Sequence, residues 1–384
     1  MRAAVVRGAG SVAIARRPVP EPGPGEARVR VEACGVCGSD LHLLANGFFP
    51  LDHTPGHEVA GRVEALGDGV VGLACGARVA VEPMRSCGTC ASCRSGRYSI
   101  CREARLAGVH DPGGLAEYAL FPATRLHPLP PELEPPLGAL AEPMAVVVHA
   151  LRRGARAAGH RVLVLGAGSV GLLAAAAARR LGAGEVWISA RHPHQVKRAR
   201  ELGVARAIAE ADASAGGLDA LGREAPIDLV VETVGGGADT VRAAAAAVRP
   251  GGTVSVVGVF WGAMNLDPMP LLLKEVTLAW SYCYGSASGA LGAARSEPKA
   301  SEVNRRAAAQ QQGARSEPKA SEVNRRAAAQ HSNSDFAEAI RILSLDRDAL
   351  GALVTHALPL EEVARAFEIA ADRRAGAVKV SVIP

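Results

Sequence analysis

The sequence predicts an α/β protein whose middle folds as a doubly wound parallel sheet, in a chain long enough to hold a second domain. Three observations predict it. Short apolar runs alternate with helix-forming stretches between residues 161 and 282, and such alternation builds a parallel sheet with helices on both faces. A Gly-x-Gly-x-x-Gly turn (Gly166, Gly168, Gly171) separates the first of those runs from an alanine-rich stretch. At 384 residues the chain exceeds what one hydrophobic core usually organises, so two domains are expected.

RVLVLG (161–166) has the length and content of a buried strand, and GAGSVGLLAAAAARRLGA after it opens a helix. Glycines at this spacing permit a tight turn, close approach of backbone to a pyrophosphate, and close packing of helix on sheet. The helix N-terminus then faces the anion. With Ser169 and Val170 completing the turn, residues 166–171 are read as a dinucleotide-binding element. Further strands are expected at EVWIS (185–189), IDLVVE (227–232), TVSVVG (253–258) and EVTLAWSY (275–282).

The end of the second strand bears on the cofactor. Chains that bind NAD usually place an acid there to accept from the ribose 2′-hydroxyl. Here ISARHPHQ has Ala190 at that position, followed by Arg191, His192 and His194. Without the acid a 2′-phosphate is not repelled, and Arg191 offers it a charge-assisted partner. NADP is the expectation and NAD the alternative.

Composition narrows the class. Hydrophobic residues make up 48% of the chain, enough for sizeable cores, and no apolar run reaches the length that spans a bilayer. Aromatic residues are only 3%, which argues against base-stacking platforms. The formal net charge of +5 is mostly local. Residues 286–333 hold eight Lys or Arg against four Glu, leaving the rest of the chain nearly neutral, with no electrostatic footprint for nucleic acid. ARSEPKASEVNRRAAAQ occurs in that segment at 294–310 and again at 314–330. Its only sizeable apolar residue is Val, so it has no face to bury. It reads as a duplicated surface insertion without a catalytic role, or as a partner-binding arm. A soluble, cytoplasmic protein is expected.

Cys87, Cys90, Cys93 and Cys101 lie together in SCGTCASCRSGRYSIC. Four thiolates this close suit tetrahedral zinc, and a closed four-sulfur shell leaves no position for substrate, so this zinc is expected to be structural. Two disulfides fit poorly with a cytosolic chain. Cys34, Cys75 and Cys283 are left over and read as small buried hydrophobes.

The chemistry is expected in the first 150 residues. ACGVCGSDLH supplies Cys37, Ser39, Asp40 and His42; PGHEVAG supplies His57 and Glu58; LAEPMAVVVHA adds Glu142. Here the chain resembles the zinc-dependent medium-chain alcohol dehydrogenase family, in its polyol, sorbitol and threonine dehydrogenase-like branch. GHEVAGRVEALGDGV fits that family's G-H-E-x2-G-x5-G-x2-V signature, and the four-cysteine lobe and the glycine turn follow in the family's order. The resemblance covers nearly everything except 286–333.

It implies a GroES-like β-rich catalytic domain (1–150, with the zinc lobe at 87–101), a Rossmann cofactor domain (151–285), the polar insertion (286–333), and a C-terminal segment (334–384) returning to the first domain. It implies a catalytic zinc held by Cys37, His57 and Glu142, with Glu58 as alternate ligand and Asp40 orienting His57. Ser39 and then His42 would relay the proton, and Lys379 would reach a cofactor phosphate. The implied activity is zinc-dependent hydride transfer between a nicotinamide cofactor and a secondary alcohol, polyol or sugar-like substrate, or the matching ketone, in a homodimer or homotetramer. The alternatives are an NAD-dependent polyol or threonine-type dehydrogenase and a non-enzymatic member that kept the fold. Retention of every ligand position speaks against the last.

Overall fold

The computed structural model describes residues 1–154, 157–209, 212–237, 239–264, 266–286 and 334–384. The duplicated segments at 294–310 and 314–330 lie outside the described residues.

The N-terminal part is β-rich. A hairpin of β1 (Arg2–Gly8) and β2 (Ser11–Arg16) precedes β3 (Glu26–Gly35), and α1 (Gly38–Ala45) links β3 to β4 (Glu58–Leu66). Then come β5 (Arg78–Val81), β6 (Met84–Arg85), the short α2 (Ala91–Arg94), β7 (Arg105–Leu106), β8 (Tyr118–Pro122) and β9 (Leu126–Pro128). β3 organises the sheet: Ala27, Val29, Val31 and Ala33 alternate inward at the period-two spacing of a strand, and the strand pairs with β4 and β8. α3 (Pro135–Gly138) and α4 (Ala141–Arg153) lead out of this body.

Six strands follow: β10 (Arg161–Leu165), β11 (Glu185–Ala190), β12 (Arg206–Ala209), β13 (Ile227–Glu232), β14 (Val248–Val256) and β15 (Thr277–Trp280). They form one sheet in the order β12-β11-β10-β13-β14-β15, parallel at every pairing. A parallel sheet is covered on both faces, so its strands read as continuous apolar runs. α5 (Ser169–Arg180) and α6 (Pro193–Glu201) join α4 in one core, while α7 (Ala215–Glu224) and α8 (Thr240–Ala247) pack into a second core on the other face. α9 (Pro268–Leu273) precedes β15. The chain winds from β10 towards β12, then restarts at β13 on the other side of β10. That reversal opens a crevice beyond the carboxyl end of β10, where the glycine turn lies.

After 286 the described chain resumes with α10 (Asp335–Leu345), α11 (Arg347–Gly351), β16 (Val354–Pro359), α12 (Val363–Ala371) and β17 (Lys379–Ile383). β17 enters the first sheet beside β3, placing Ser381 against Gly35 and Val382 against Cys34. The two sides of the insertion meet: Ser286 bridges Ser334, and the Asp335 carboxylate accepts from Gly285 N at 2.8 Å. Asp335 is buried and also holds Arg152 Nη1 at 2.5 Å and His149 Nδ1 at 2.8 Å. Ser286 N donates to Gly96 O at 3.1 Å, tying this neck to the cysteine lobe. Of the leftover cysteines, Cys34 is buried, Cys283 half-buried and Cys75 exposed. The expectation of a buried Cys75 fails because it sits in a turn rich in positive-φ glycines, Gly72 and Gly76.

Candidate active site and metal centres

The Cys87, Cys90, Cys93 and Cys101 ligand atoms lie within 4.8 Å of one another. Cys87 and Cys93 sulfurs are 3.8 Å apart and Cys101 and Cys87 3.5 Å, close to the roughly 3.8 Å edge of a tetrahedron with zinc–sulfur bonds of about 2.3 Å. Local backbone prepares the donors. The Thr89 and Cys90 N–H groups hold the Cys87 thiol down to about 6, whereas burial pushes the Cys93 thiol up to about 11. Four such donors with no oxygen among them suit zinc. The lobe is latched by Tyr98, whose ring lies 4.0 Å under the Arg125 guanidinium. Arg125 Nη1 in turn donates to the buried Glu82 at 2.5 Å, and His127 Nε2 lies 2.9 Å from the same carboxylate.

A second cluster forms where α1 begins and β4 begins. Cys37, His57 and Glu58 bring one ligand atom each within 4.8 Å of the others. Asp40 is fully buried beneath them: Oδ2 accepts from Cys37 N at 3.0 Å, and Oδ1 lies 3.3 Å from His57 Nδ1. One carboxylate thus fixes the start of the helix and the orientation of the imidazole together. Thiol, imidazole and carboxylate on rigid elements fit a zinc ion.

Two of the expected residues stand apart from the rest in where the structure places them. Glu58, not Glu142, stands in the close trio, because it is the immediate neighbour of His57 at the start of β4, whereas Glu142 comes from the first turn of α4. Glu142 is buried near the cluster, and burial pushes its carboxyl up to about 7, with Glu58 reinforcing the shift and His57 and Lys379 opposing it. Lys379, expected at a cofactor phosphate, is engaged on the metal side. Its ammonium is buried at the metal side, 2.6 and 2.7 Å from the two Glu58 oxygens and 3.2 Å from Val36 O, which uses all three of its donors.

The basic residue beside the glycine turn is Arg373, which the sequence reading missed. Its Nη1 lies 3.6 Å from where a Cβ on Gly168 would be, and its Nη2 lies 3.7 Å from where one on Gly38 would be. No motif marks it. The turn itself needs its glycines: Gly166 has φ +95, and a Cβ on Gly171 would lie 1.8 Å from Gly166 O. Thr233 Oγ1 donates to Leu165 O at 2.7 Å and so braces the turn from β13. Ser169 and Val170 open α5 with Gly168 as its cap, and Ala190 ends β11. Arg191 N and His192 N both donate to Gln195 Oε1, which fixes the start of α6, and the His192 and His194 rings stack at 5.4 Å. Ser39 is half-buried in the first turn of α1 and His42 is exposed further along it.

A β-rich body with a mixed thiol, imidazole and carboxylate cluster, a four-cysteine lobe and a doubly wound sheet with a glycine turn define a class. The chain belongs to the zinc-dependent medium-chain alcohol dehydrogenase family. Residues 23–131 match the family "Alcohol dehydrogenase GroES-like domain" and residues 169–296 match "Zinc-binding dehydrogenase". It is accordingly an enzyme that moves hydride between a nicotinamide cofactor and an alcohol or polyol with the help of zinc. Among its relatives, L-galactonate-5-dehydrogenase of Escherichia coli is 34% identical over 69% of this chain and 78% of that protein. Sorbitol dehydrogenase of Bombyx mori is 33% identical over 73% of this chain and 83% of its own. A zinc-binding dehydrogenase of Sinorhizobium meliloti, solved bound to NADP, superimposes with a TM-score of 0.77 at 30% identity, covering 100% of this chain and 99% of that one.

Proposed function

We propose that this enzyme uses NADP to oxidise a secondary alcohol of a polyol or sugar-like substrate, or to reduce the matching ketone. The observation that carries the reading is Arg373 standing between Gly38, at the head of the metal-side helix, and Gly168, in the cofactor turn. This position supports a single cleft for both halves of the reaction, where the guanidinium would meet the cofactor pyrophosphate.

Cys37 and His57 are the proposed zinc ligands, completed by a carboxylate. Both Glu58 oxygens are engaged by Lys379, while among the described residues no donor hydrogen-bonds Glu142. Glu142 is therefore the ligand, with Glu58 in reserve. When bound, the zinc supplies Lewis acidity that polarises the substrate oxygen. Asp40 keeps the His57 ring aimed. Ser39 Oγ takes the substrate hydroxyl proton as it releases its own, which the exposed His42 hands to solvent. Lys379 keeps the charge of Glu58 from accumulating beside the other carboxylates.

Ala190, Arg191 and His192 are the proposed 2′-phosphate site. Charge-assisted hydrogen bonds are worth about 1.5–3 kcal/mol, and about 1.4 kcal/mol is tenfold in affinity, so NADP is expected to bind roughly ten- to a hundredfold more tightly than NAD. Titrating both cofactors tests this. Ala190→Asp with Arg191→Leu should reverse the order; tighter NAD binding by wild type would transfer the reading to an NAD-dependent polyol or threonine-type dehydrogenase.

A cytoplasmic homo-oligomer belongs to the same proposal. Thiols meant for zinc favour a reducing compartment. β15 is an edge strand, with Trp280, Tyr282, Leu272 and Leu273 exposed on and around it, and an open apolar edge is a ready pairing surface.

A further inference from the structure

One contact crosses from the metal-bearing body to the cofactor sheet at the surface. Phe48, in the loop after α1, stacks on Trp261, in the loop after β14, with ring centroids 5.6 Å apart and planes 18° apart. The His42 ring is 6.1 Å from the same indole. Each aromatic is largely in water on its outer side: Phe48 is 61% exposed and Trp261 43%. Neither is part of a packed core, so the stack is held by the two rings and their loops alone. Their loops are anchored differently. Phe48 N donates to Leu43 O at 2.9 Å and so rides on α1, whose first residue follows Cys37. Trp261 precedes Gly262, whose φ of +111 is a conformation that side-chain-bearing residues rarely adopt. Along α1, His42 lies five residues from Cys37, roughly 7 Å of helix rise. The stacked pair therefore stands beyond His42, which is itself about a helix turn and a half from Cys37, at the solvent end of the proposed proton path.

We propose that Phe48 and Trp261 form an aromatic clasp that closes this mouth of the cleft and sets an upper limit on substrate bulk, making them specificity-determining residues for compact polyols and ketones. This inference rests on the functional reading above. A substrate that projects an alkyl chain past His42 has to break the stack, whereas one that ends short of it leaves the rings in place and the water outside excluded. A size filter of this kind discriminates by about ten- to two-hundredfold for a single methylene that a pocket accepts or refuses.

Two secondary vicinal diols that differ only in length provide the probe: 2,3-butanediol and 4,5-octanediol, each with saturating NADP. Wild type is expected to favour the four-carbon diol. Trp261→Ala and Phe48→Ala are each expected to shrink the ratio of kcat/KM by about tenfold or more, by lowering KM for the longer diol while kcat for the shorter stays within a few-fold. Trp261→Phe, which can still stack, is expected to restore the ratio. A ratio unchanged within twofold in both alanine variants, or equal losses for both diols accompanied by a lower melting temperature, would overturn the clasp. A second measurement needs no turnover. Phe48→Ala should move the emission of Trp261 to longer wavelength in the unliganded enzyme, measured as the difference between variants carrying and lacking Trp261. Identical emission with and without Phe48 would show that the rings do not stack in solution. Failure of wild type to turn over either diol counts against the functional reading, whereas a normal wild type with unaltered variants counts against the clasp alone.

Discussion

Asp40 serves two neighbours with one carboxylate, and the consequences separate cleanly by residue. Replacing Cys37 by Ala removes a metal donor from one body and leaves the glycine turn untouched in the other. Metal analysis is expected to fall from about two zincs per chain to about one, with turnover lost and cofactor affinity retained; full zinc content with normal turnover would contradict the assignment. Asp40→Asn leaves all ligands present but weakens the hold on His57. Loss of such an orienting partner typically costs ten- to a hundredfold in metal affinity, which competition with a chelator measures. That the four lobe cysteines stand together was legible in the sequence because their spacing is local, whereas Cys37 and His57, twenty residues apart, were linked only through the family signature. The pairing of Lys379 with Glu58 was not legible, since the two are joined by the return of β17 to β3 across 321 positions. Arg373 was illegible for the same reason: an arginine before a short turn carries no motif, and only the fold brings it beside Gly168.

At the scale of elements, the cysteine lobe is a small unit with four thiols set for a zinc and a latch of Tyr98, Arg125 and Glu82. Cys93→Ser is expected to lower the melting temperature without changing the rate constants of hydride transfer, because lobe and cluster share no ligand. The latch adds a pH dependence. Burial alone would raise the Glu82 carboxyl above its ordinary 4.5, but Arg125, His127 and Tyr98 override it and hold it lower. A carboxyl depressed in the folded state contributes stability that is present above its unfolded value and lost as pH falls through the folded one. Glu82→Gln should therefore lower stability at pH 7 by about 3–5 kcal/mol, the usual result of leaving Arg125 buried and unpaired. Its difference from wild type should shrink on acidification below about pH 4.5; thermal melts across that range test the sign. Of the expected strands of the parallel sheet, β13 has the expected ends, β10 and β11 each differ by one residue at one end, β15 is shorter by two residues at each end, and β14 begins earlier, from Val248. Buried apolar runs announce themselves. β12, Arg206–Ala209, did not: it has four residues, of which only Ile208 is buried.

For the whole molecule, the closed neck decides what the polar insertion can affect. Ser286 and Ser334 are already bridged and Asp335 pins both sides, so closing the gap between them with a short linker asks little of the core. Long surface loops cost little in closure entropy. Excision of 287–333 is expected to leave kcat within a few-fold and the melting temperature within a few degrees. Loss of the assembled oligomer on excision, seen by light scattering, would instead make the segment an assembly element.

The return of β17 also governs the order in which the enzyme comes into being. β3 is made before the whole cofactor sheet, yet the strand that covers its edge and the lysine that neutralises Glu58 are made roughly 340 residues later than β3. At about 5–20 residues per second, that interval lasts some tens of seconds. Throughout it the nascent N-terminal body carries an open sheet edge at Cys34 and Gly35 and a buried carboxylate without its counter-charge. The β-rich body begun before the cofactor sheet is thus completed only after it, and the cofactor sheet, whose strands arrive consecutively, has time to fold in between.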